Sequence, residues 1–265
     1  MNTKRRHWQT LSVAALLVAA GLMSPARPAA AATFGTRCQD TFENDWQKPL
    51  PYAWDRCGGF NDTLDDTDTK LFYFNLKTNG LGFTTNDGVV GNGGVDTVDL
   101  FYVSTHGSVT NTDARLVFWN QDKRALSSGW RFGDNARGAR IFSQYACETL
   151  AQDSFNFERW KKAFRGGLLL ATGSHDKVYD GWTTNETGAD YAAYLQAGKS
   201  VKWAWFDGNG DWWAAQDVAV EASSTGSVSE CLSRLNGITW QNMFTFSRLR
   251  DNNMNRLCAA WIEDN

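Results

Sequence analysis

The chain has 265 residues, with 26 lysines and arginines against 29 aspartates and glutamates, and a formal net charge of −3. A weakly acidic chain without a basic stripe is not typical of a nucleic-acid binder, so that class is excluded. The chain also contains 13 tryptophans. Most of these tryptophans are expected to pack in the core. The alternative is that exposed tryptophans stack on a sugar or a peptide.

Residues 1–32 have the composition of a cleavable secretory signal. A charged start at 4–6 precedes an apolar stretch at 11–22, and the small, alanine-rich stretch at 25–32 contains A-x-A sites. Cleavage is expected near Ala32, and the Arg5–Arg6 pair makes the twin-arginine route an alternative to ordinary secretion. Residues 33–265 are expected to form a single secreted domain that is monomeric. Stable membrane association is not expected, because no later stretch has the length and apolarity of a membrane span.

In chain order, residues 33–59 have the composition of a loop-rich segment. Short apolar runs then predict strands, and apolar residues at helical spacing predict a helix. The strands are predicted at 71–76, 98–103, 115–119 (a short hairpin strand), 139–145 and 167–171, and the helix at 155–164.

Beyond residue 188 the sequence predicts mainly helices. They are expected at 189–195 and 212–222, with a strand at 201–206 and mixed helix and loop over 243–261. The strands before residue 180 are almost continuously apolar, which is typical of a parallel sheet covered on both faces. The predicted fold is therefore an α/β three-layer sandwich with a mostly parallel central sheet.

The five cysteines divide into two close pairs and one single residue. Outside the cytoplasm paired cysteines oxidise, so the simplest arrangement joins Cys38 to Cys57 and Cys231 to Cys258, although other connectivities remain open. Cys147 is then left as a free thiol, which in an exported protein is either buried or used.

Three chemically capable side chains come after the predicted strands. His106, Cys147 and His175 stand close behind apolar runs, and ligands of parallel α/β sheets bind at the carboxyl ends of strands. A thiol needs a neighbouring imidazole to react readily at neutral pH, and His106 is the expected partner because Gly107 allows a tight turn after it. The N–H groups of Gly107 and Cys147 are expected to face the substrate carbonyl as an oxyanion hole.

Two sequence blocks make the pattern more specific. LFYVSTHG at 100–107 and IFSQYACE at 141–148 resemble the signature blocks of the caspase–legumain–gingipain superfamily of cysteine peptidases, most closely its legumain branch. The resemblance covers about residues 70–180 and implies a caspase-haemoglobinase-like fold. It implies that Cys147 is the nucleophile and His106 the general base and acid, acting on a peptide or protein substrate without a cofactor or a metal. It also implies that Ser174, His175 and Asp176 contact the substrate.

Each of these predictions has an alternative. Cys147 is otherwise a buried inert thiol, His106 a structural histidine, and the two histidines with the thiol a metal site. Glu148 is expected to stabilise the first turn of the next helix, with orientation of the site as the alternative. For the whole chain, the alternatives to a peptidase are a non-catalytic peptide- or glycan-binding protein on the same fold, and a tailoring or cyclising enzyme.

Overall fold

The computed structural model describes residues 32–43, 47–65, 69–75, 94–118, 124–134, 138–209 and 217–262. Ten strands lie in these ranges: β1 (Thr33–Cys38), β2 (Thr69–Asn75), β3 (Leu100–Ser104), β4 (His106–Val109), β5 (Ala114–Val117), β6 (Arg124–Leu126), β7 (Ile141–Tyr145), β8 (Leu170–Ser174), β9 (Val218–Ser224) and β10 (Arg256–Ile262). The helices in the same ranges are α1 (Ala53–Asp65), α2 (Asn156–Phe164), α3 (Thr187–Gln196), α4 (Val201–Asn209) and α5 (Val228–Gly237).

Seven strands form the main sheet in the order β10-β9-β8-β7-β3-β1-β2. Within this sheet the five neighbouring strands β8, β7, β3, β1 and β2 are parallel. β9 runs antiparallel to β8, and β10 runs antiparallel to β9. Strands β3 and β7 are neighbours in register, with Ser104 opposite Tyr145 at their last residues. The segments that leave these two strands therefore emerge at the same edge of the sheet.

Each face of the main sheet is buried against other elements. Leu100, Ile141 and Leu170 pack with apolar side chains of α1, α3, α4 and α5 on one face. Phe101 and Phe142 point to the other face, where they pack with α2 and with a small sheet formed by β4, β5 and β6. Because successive strand residues alternate between faces, apolar residues at every position bury both faces. The prediction of an α/β fold with a mostly parallel sheet is confirmed in this general form.

Several predicted elements agree with the structure. The strands predicted at 71–76, 98–103 and 139–145 correspond to β2, β3 and β7, and the helices at 155–164 and 189–195 to α2 and α3. The hairpin strand predicted at 115–119 is β5, which begins one residue earlier. The strand predicted at 167–171 is β8, which begins three residues later, after Gly167 with its left-handed φ of 119°.

The prediction of a loop-rich segment at 33–59 is wrong, because this segment contains β1 and most of α1. β1 lies inside the main sheet between β2 and β3, although Phe34 is its only large apolar residue. α1 contains Gly58 and Gly59, which disfavour an isolated helix. A Cβ added to Gly59 would lie 3.0 Å from the Cβ of Ala189, so glycine lets α1 pack closely on α3.

Three predictions in the last third are also wrong. The strand predicted at 201–206 is helix α4, the described part of the helix predicted at 212–222 is strand β9, and residues 256–262 form strand β10 rather than helix or loop. Residues 210–216 lie outside the described part of the chain. The alanines and Glu221 of β9 favour a helix in isolation, whereas neighbouring strands bury every residue of this segment and make it a strand.

The structure contains both predicted disulfides. Cys38 is bonded to Cys57 and Cys231 to Cys258, while Cys147 is free. The predicted signal at 1–32 lies outside the described residues except for Ala32. Among the described residues, none of the helices has both the length and the apolarity that crossing a membrane requires.

Candidate functional site

The predicted catalytic residues lie on one cavity at the carboxyl edge of the main sheet. Thr105, the residue between β3 and β4, donates its N–H to the carbonyl of Tyr145 at the end of β7 (3.2 Å), which ties the two strand ends together. His106 comes next in the chain on one side, and Cys147 lies two residues after Tyr145 on the other. The cavity has a volume of about 560 Å³ and is lined by Lys48, Pro49, Leu50, Arg56, Thr105, His106, Tyr145, Cys147, Lys177, Val178, Tyr179 and Asp180.

The main chains of Gly107 and Cys147 are in direct contact. A Cβ added to Gly107 would lie 2.3 Å from the carbonyl oxygen of Cys147 and 2.9 Å from its nitrogen. No side chain fits in that space, so only glycine allows β4 to approach the Cys147 turn this closely. The two residues predicted to form the oxyanion hole are therefore neighbours in space.

The imidazole of His106 is held by a carbonyl from the loop between β1 and α1. Its Nε2 lies 2.8 Å from the carbonyl oxygen of Lys48, and its ring packs on Phe42 with centroids 5.0 Å apart. A carbonyl oxygen only accepts, so Nε2 carries the hydrogen, and the neutral ring has its lone pair on Nδ1. Burial lowers the pKa of His106, although the Lys48 carbonyl and the Asp180 carboxylate act in the opposite direction. The neutral ring is therefore favoured, with Nδ1 as the proton acceptor.

The thiol of Cys147 is partly buried in the wall of the same cavity. Its Sγ lies 3.8 Å from the carbonyl oxygen of Val178. Burial raises the pKa of Cys147, and the nearby Glu148 carboxylate raises it further, whereas main-chain hydrogen bonding at Val178 and the Lys177 ammonium lower it. The resting pair is accordingly a neutral thiol and a neutral imidazole, so the thiol needs a base to lose its proton.

Cys147 is presented on a sharp turn. Glu148 has a φ of 58°, in the left-handed region that non-glycine residues rarely occupy. The turn is held because Glu148 N–H donates to the carbonyl of Asp176 (2.9 Å) and Leu150 N–H to that of Ser174 (2.9 Å). The prediction that Glu148 stabilises the first turn of a helix is wrong, because α2 begins only at Asn156.

Sequence reasoning missed Arg56, which also lines the cavity. Its guanidinium is 1% exposed and donates to Asp180 Oδ1 (2.6 Å), Ser104 Oγ (3.1 Å) and Thr184 Oγ1 (3.2 Å). It also stacks on the ring of Tyr145, 4.2 Å from the centroid. Arg56 therefore ties α1 to the end of β3 and to the loop after β8. The only signal for it in the sequence is its position next to Cys57.

The three predicted substrate-binding residues lie beside the cavity rather than among its lining residues. Ser174 is fully buried at the end of β8, and Asp176 is exposed. The ring of His175 lies 3.1 Å from the carbonyl oxygen of Ile262 and 3.9 Å from Asp217. The chain reaches the cavity only in the next four residues, 177–180.

The remaining predictions concern metals and tryptophans. Among the described residues, no group of three or more histidine, cysteine or acidic side chains is arranged to hold a metal ion. Trp130, Trp160 and Trp205 are fully buried, as expected for core packing. Trp182 is 74% exposed and stands just beyond the cavity-lining segment, and Tyr179 within that segment is 79% exposed. These two side chains are available for stacking on a ligand.

Comparison with known proteins places the chain in a family without assigning it an activity. A search of curated proteins found no match. Residues 38–262 match the family described as Domain of unknown function (DUF6345), a range that includes both disulfides and every lining residue of the cavity. Because the match covers most of the chain, the protein belongs to the DUF6345 family.

Proposed function

We propose that the protein is a secreted cysteine peptidase, or a transpeptidase using the same acyl-enzyme, with a caspase-haemoglobinase-like fold. The observation that carries the proposal is that Cys147 and His106 line one cavity, at the carboxyl ends of two neighbouring parallel strands. In the part of the chain that the structure describes, these are the free thiol and one of two histidines.

The geometry supports a division of labour between the two side chains. His106 Nδ1 takes the proton from Cys147 Sγ as the sulfur attacks the peptide carbonyl. The protonated ring then gives that proton to the leaving amine, and an acyl-thioester stays on Cys147. Water or a second amine attacks the thioester, His106 takes its proton, and the thiol is restored. The Lys48 carbonyl supports this sequence because it fixes the hydrogen on Nε2 and the lone pair on Nδ1.

Developing negative charge on the carbonyl oxygen needs donors that are already in place. The contact between the main chains of Gly107 and Cys147 supports the oxyanion hole proposed for their N–H groups. The left-handed turn at Glu148 supports the same assignment, since backbone strain is often found where a reactive side chain is presented.

The cavity favours a polar, extended substrate such as a peptide. Lys48, Arg56 and Lys177 line it together with the single carboxylate of Asp180. The main-chain groups of a peptide would find donors and charges on several sides. The contacts predicted for Ser174, His175 and Asp176 stay a prediction, because they would require a substrate that extends beyond the lining residues.

The test is covalent labelling of Cys147 by peptidyl acyloxymethyl ketones that vary in the residue next to the warhead. Four of the five cysteines are in disulfides, so intact mass reports one site directly. We expect one label per chain, no label in Cys147→Ala, and a rate about 100-fold lower in His106→Ala. Lys162→Ala is the control, because Lys162 is exposed on α2 and does not line the cavity, so this variant should label normally.

Simple accessibility of the thiol is measured separately with iodoacetamide. A protein that reacts with iodoacetamide but with none of the peptidyl probes would contradict the proposal. So would a His106→Ala variant that labels at the normal rate.

The second candidate is a binding protein without turnover. The exposure of Tyr179 (79%) and Trp182 (74%) beside the cavity favours it, because exposed aromatic side chains often anchor a ligand. Saturable binding of a peptide or glycan that is lost in Tyr179→Ala, unchanged in Cys147→Ala and accompanied by no conversion would identify this function instead.

A further inference from the structure

The first residue of β1 is hydrogen-bonded to a buried carboxylate. Both lie at the edge of the main sheet opposite the cavity. Thr33 N lies 3.0 Å from Asp99 Oδ2, and Thr33 Oγ1 donates to the same oxygen (2.9 Å). In return Asp99 N–H donates to the carbonyl of Thr33 (3.0 Å). The two residues are 7% and 6% exposed. Five polar groups of the two residues thus meet in a nearly closed site.

The site is built on a rigid part of the fold. Thr33 begins β1, an interior strand of the main sheet, and Asp99 directly precedes its neighbour β3. Arg140, just before β7, donates its N–H to the carbonyl of Asp99 (2.8 Å), and its Nε lies 3.8 Å from Asp99 Oδ1. The position of the carboxylate is therefore fixed by three strands that are already paired.

The sequence places the expected leader cleavage at the same point. Two overlapping A-x-A sites end at Ala31 and at Ala32, and composition alone does not choose between them. Ala32 is the last residue before β1, so only cleavage after Ala32 makes Thr33 the first residue of the mature chain.

We propose that the bond between Ala32 and Thr33 is the processing site, and that the new α-ammonium of Thr33 binds the Asp99 carboxylate as a buried ion pair. A signal peptidase hydrolyses the amide. The hydroxyl of water goes to the Ala32 carbonyl carbon, which leaves as a carboxylate. The Thr33 nitrogen gains the hydrogens that make it an ammonium. The hydrogen bond already present to Asp99 Oδ2 thereby becomes charge-assisted, which roughly doubles the strength of such a bond.

The inference rests on the export that is part of the proposed function, but not on catalysis. The ion pair lies at the amino edge of the parallel strands, whereas the cavity lies at the carboxyl edge. Processing at Thr33 is therefore expected to increase the stability of the folded domain and to leave the labelling rate of Cys147 unchanged.

The first test is the N-terminal residue of the protein secreted by a bacterial host from the full chain. Intact mass and Edman sequencing should give Thr33. A mature chain that begins at Ala32, or inside β1, would overturn the proposed processing site. Protein that stays in the cells with its leader intact would overturn the export on which the inference rests, whatever the activity of Cys147.

The second test compares purified chains that begin at Ala31, Ala32 and Thr33, each made with Asp99 and with Asp99→Asn. Residues 31–265 form one compact unit, and all three chains retain every strand and helix of the described fold. One extra residue moves the ammonium about 3.5 Å along the chain and leaves a neutral amide at Thr33. Urea denaturation gives the folding equilibrium constant of each chain.

With Asp99 in place, we expect the chain beginning at Thr33 to have a folding equilibrium constant about tenfold larger than the other two. Asp99→Asn should remove that difference. Asp113→Asn is the matched control, because Asp113 is also buried and accepts a main-chain N–H, from Ser128, in the small sheet. It should change all three chains equally. Equal stability of the three chains with Asp99 present would overturn the ion pair.

Discussion

The two disulfide regions have the same construction and different surroundings. Cys38–Cys57 joins β1 to α1, and Cys231–Cys258 joins α5 to β10. Each of these helices carries a buried arginine close to its cysteine: Arg56 is 1% and Arg234 3% exposed. Each arginine pairs with one carboxylate and donates to further hydroxyl or carbonyl oxygens.

The difference lies in what each arginine faces. Arg234 bonds Glu230, Ser223 and Ser247 within its own region. Arg56 lines the cavity, and its disulfide closes the loop that carries Lys48, whose carbonyl holds His106. A disulfide and a buried arginine therefore stabilise both regions, but the first region also shapes the cavity of the proposed site. Substitutions made in matched pairs can separate stability from function.

The largest expected effect comes from the two arginines. Arg56→Met and Arg234→Met each remove a buried guanidinium that donates to a carboxylate and to further oxygens, and each hydrogen bond lost from a charged group typically costs about 1.5–3 kcal/mol of unfolding free energy. Both losses should appear in urea denaturation. Only Arg56→Met should also slow the labelling of Cys147, by roughly tenfold, because the loop after β8 loses its tie to α1.

Labelling is measured without denaturant, under conditions in which circular dichroism shows that both variants are folded. Similar labelling rates in the two variants would mean that Arg56 contributes packing alone.

The disulfides come next in size. Replacing both cysteines by serine in either pair should lower stability by about 3 kcal/mol, since the two bonds close loops of similar length, with sequence separations of 19 and 27. We expect the labelling of Cys147 to fall only when Cys38 and Cys57 are replaced, because that loop positions the Lys48 carbonyl. Loss of labelling in the Cys231/Cys258 variant at equal stability would refute the comparison.

Two buried carboxyl groups should make stability depend on pH: burial raises the pKa of Asp96, before β3, to about 6 and that of Glu221, in the C-terminal region, further still. Burial raises the pKa of Glu221 on β9 to about 7, although Asn156 and Gln152 donate to its carboxylate and act in the opposite direction. The folded state then holds this proton more tightly than the unfolded state. The stabilisation by protonated Glu221 is fully present below the pKa that this residue has in the unfolded chain. It is lost as the pH rises through 7, and the free energy of unfolding then falls by up to about 1.4 kcal/mol per pH unit.

Glu221→Gln removes one of these two titrations and should reduce the slope of the stability curve between about pH 5 and pH 7, most clearly above pH 6 where Asp96 has already lost its proton. Chemical denaturation at several pH values measures the effect. A wild-type curve that is already flat across this interval would contradict the assignment to Glu221.

The smallest expected effects concern the thiol itself. Glu148→Gln removes a carboxylate that raises the pKa of Cys147, and Lys177→Gln removes an ammonium that lowers it. The iodoacetamide rate as a function of pH should shift to lower pH in the first variant and to higher pH in the second. Shifts in the same direction would show that hydration of the site, rather than charge, sets the thiol pKa.

The main sheet could be predicted from the sequence where apolar runs are continuous. β3 is such a run and β7 begins as one, and because the two strands are parallel neighbours, His106 and Cys147 beyond their ends lie at one edge. β1 could not be found in the same way, because Arg37 and two threonines interrupt its pattern and its position depends on pairing with β2 and β3. α1 contains Gly59, whose close contact with Ala189 of α3 is not encoded in any local pattern.

The main residues of the proposed site could be predicted from the sequence, but the groups that hold them in place could not. His106, Gly107 and Cys147 are marked by rare residue types at the ends of apolar runs. Arg56 and Lys48 come from a segment whose composition indicates a loop. Their roles depend on a helix and a main-chain carbonyl that only the folded chain brings to the cavity. A carbonyl group leaves no trace in the residue type that carries it.

The closeness of Gly107 to the Cys147 turn offers a way to sort other members of the family without an assay. A relative with any side chain at this position must have displaced one of the two loops, since the added carbon would overlap an oxygen at 2.3 Å. Such a chain would have lost the alignment that the proposed acyl transfer requires, even if it kept both the sulfur and the ring. One column of an alignment would then separate the members in which the proposed reaction is expected from those in which it is not.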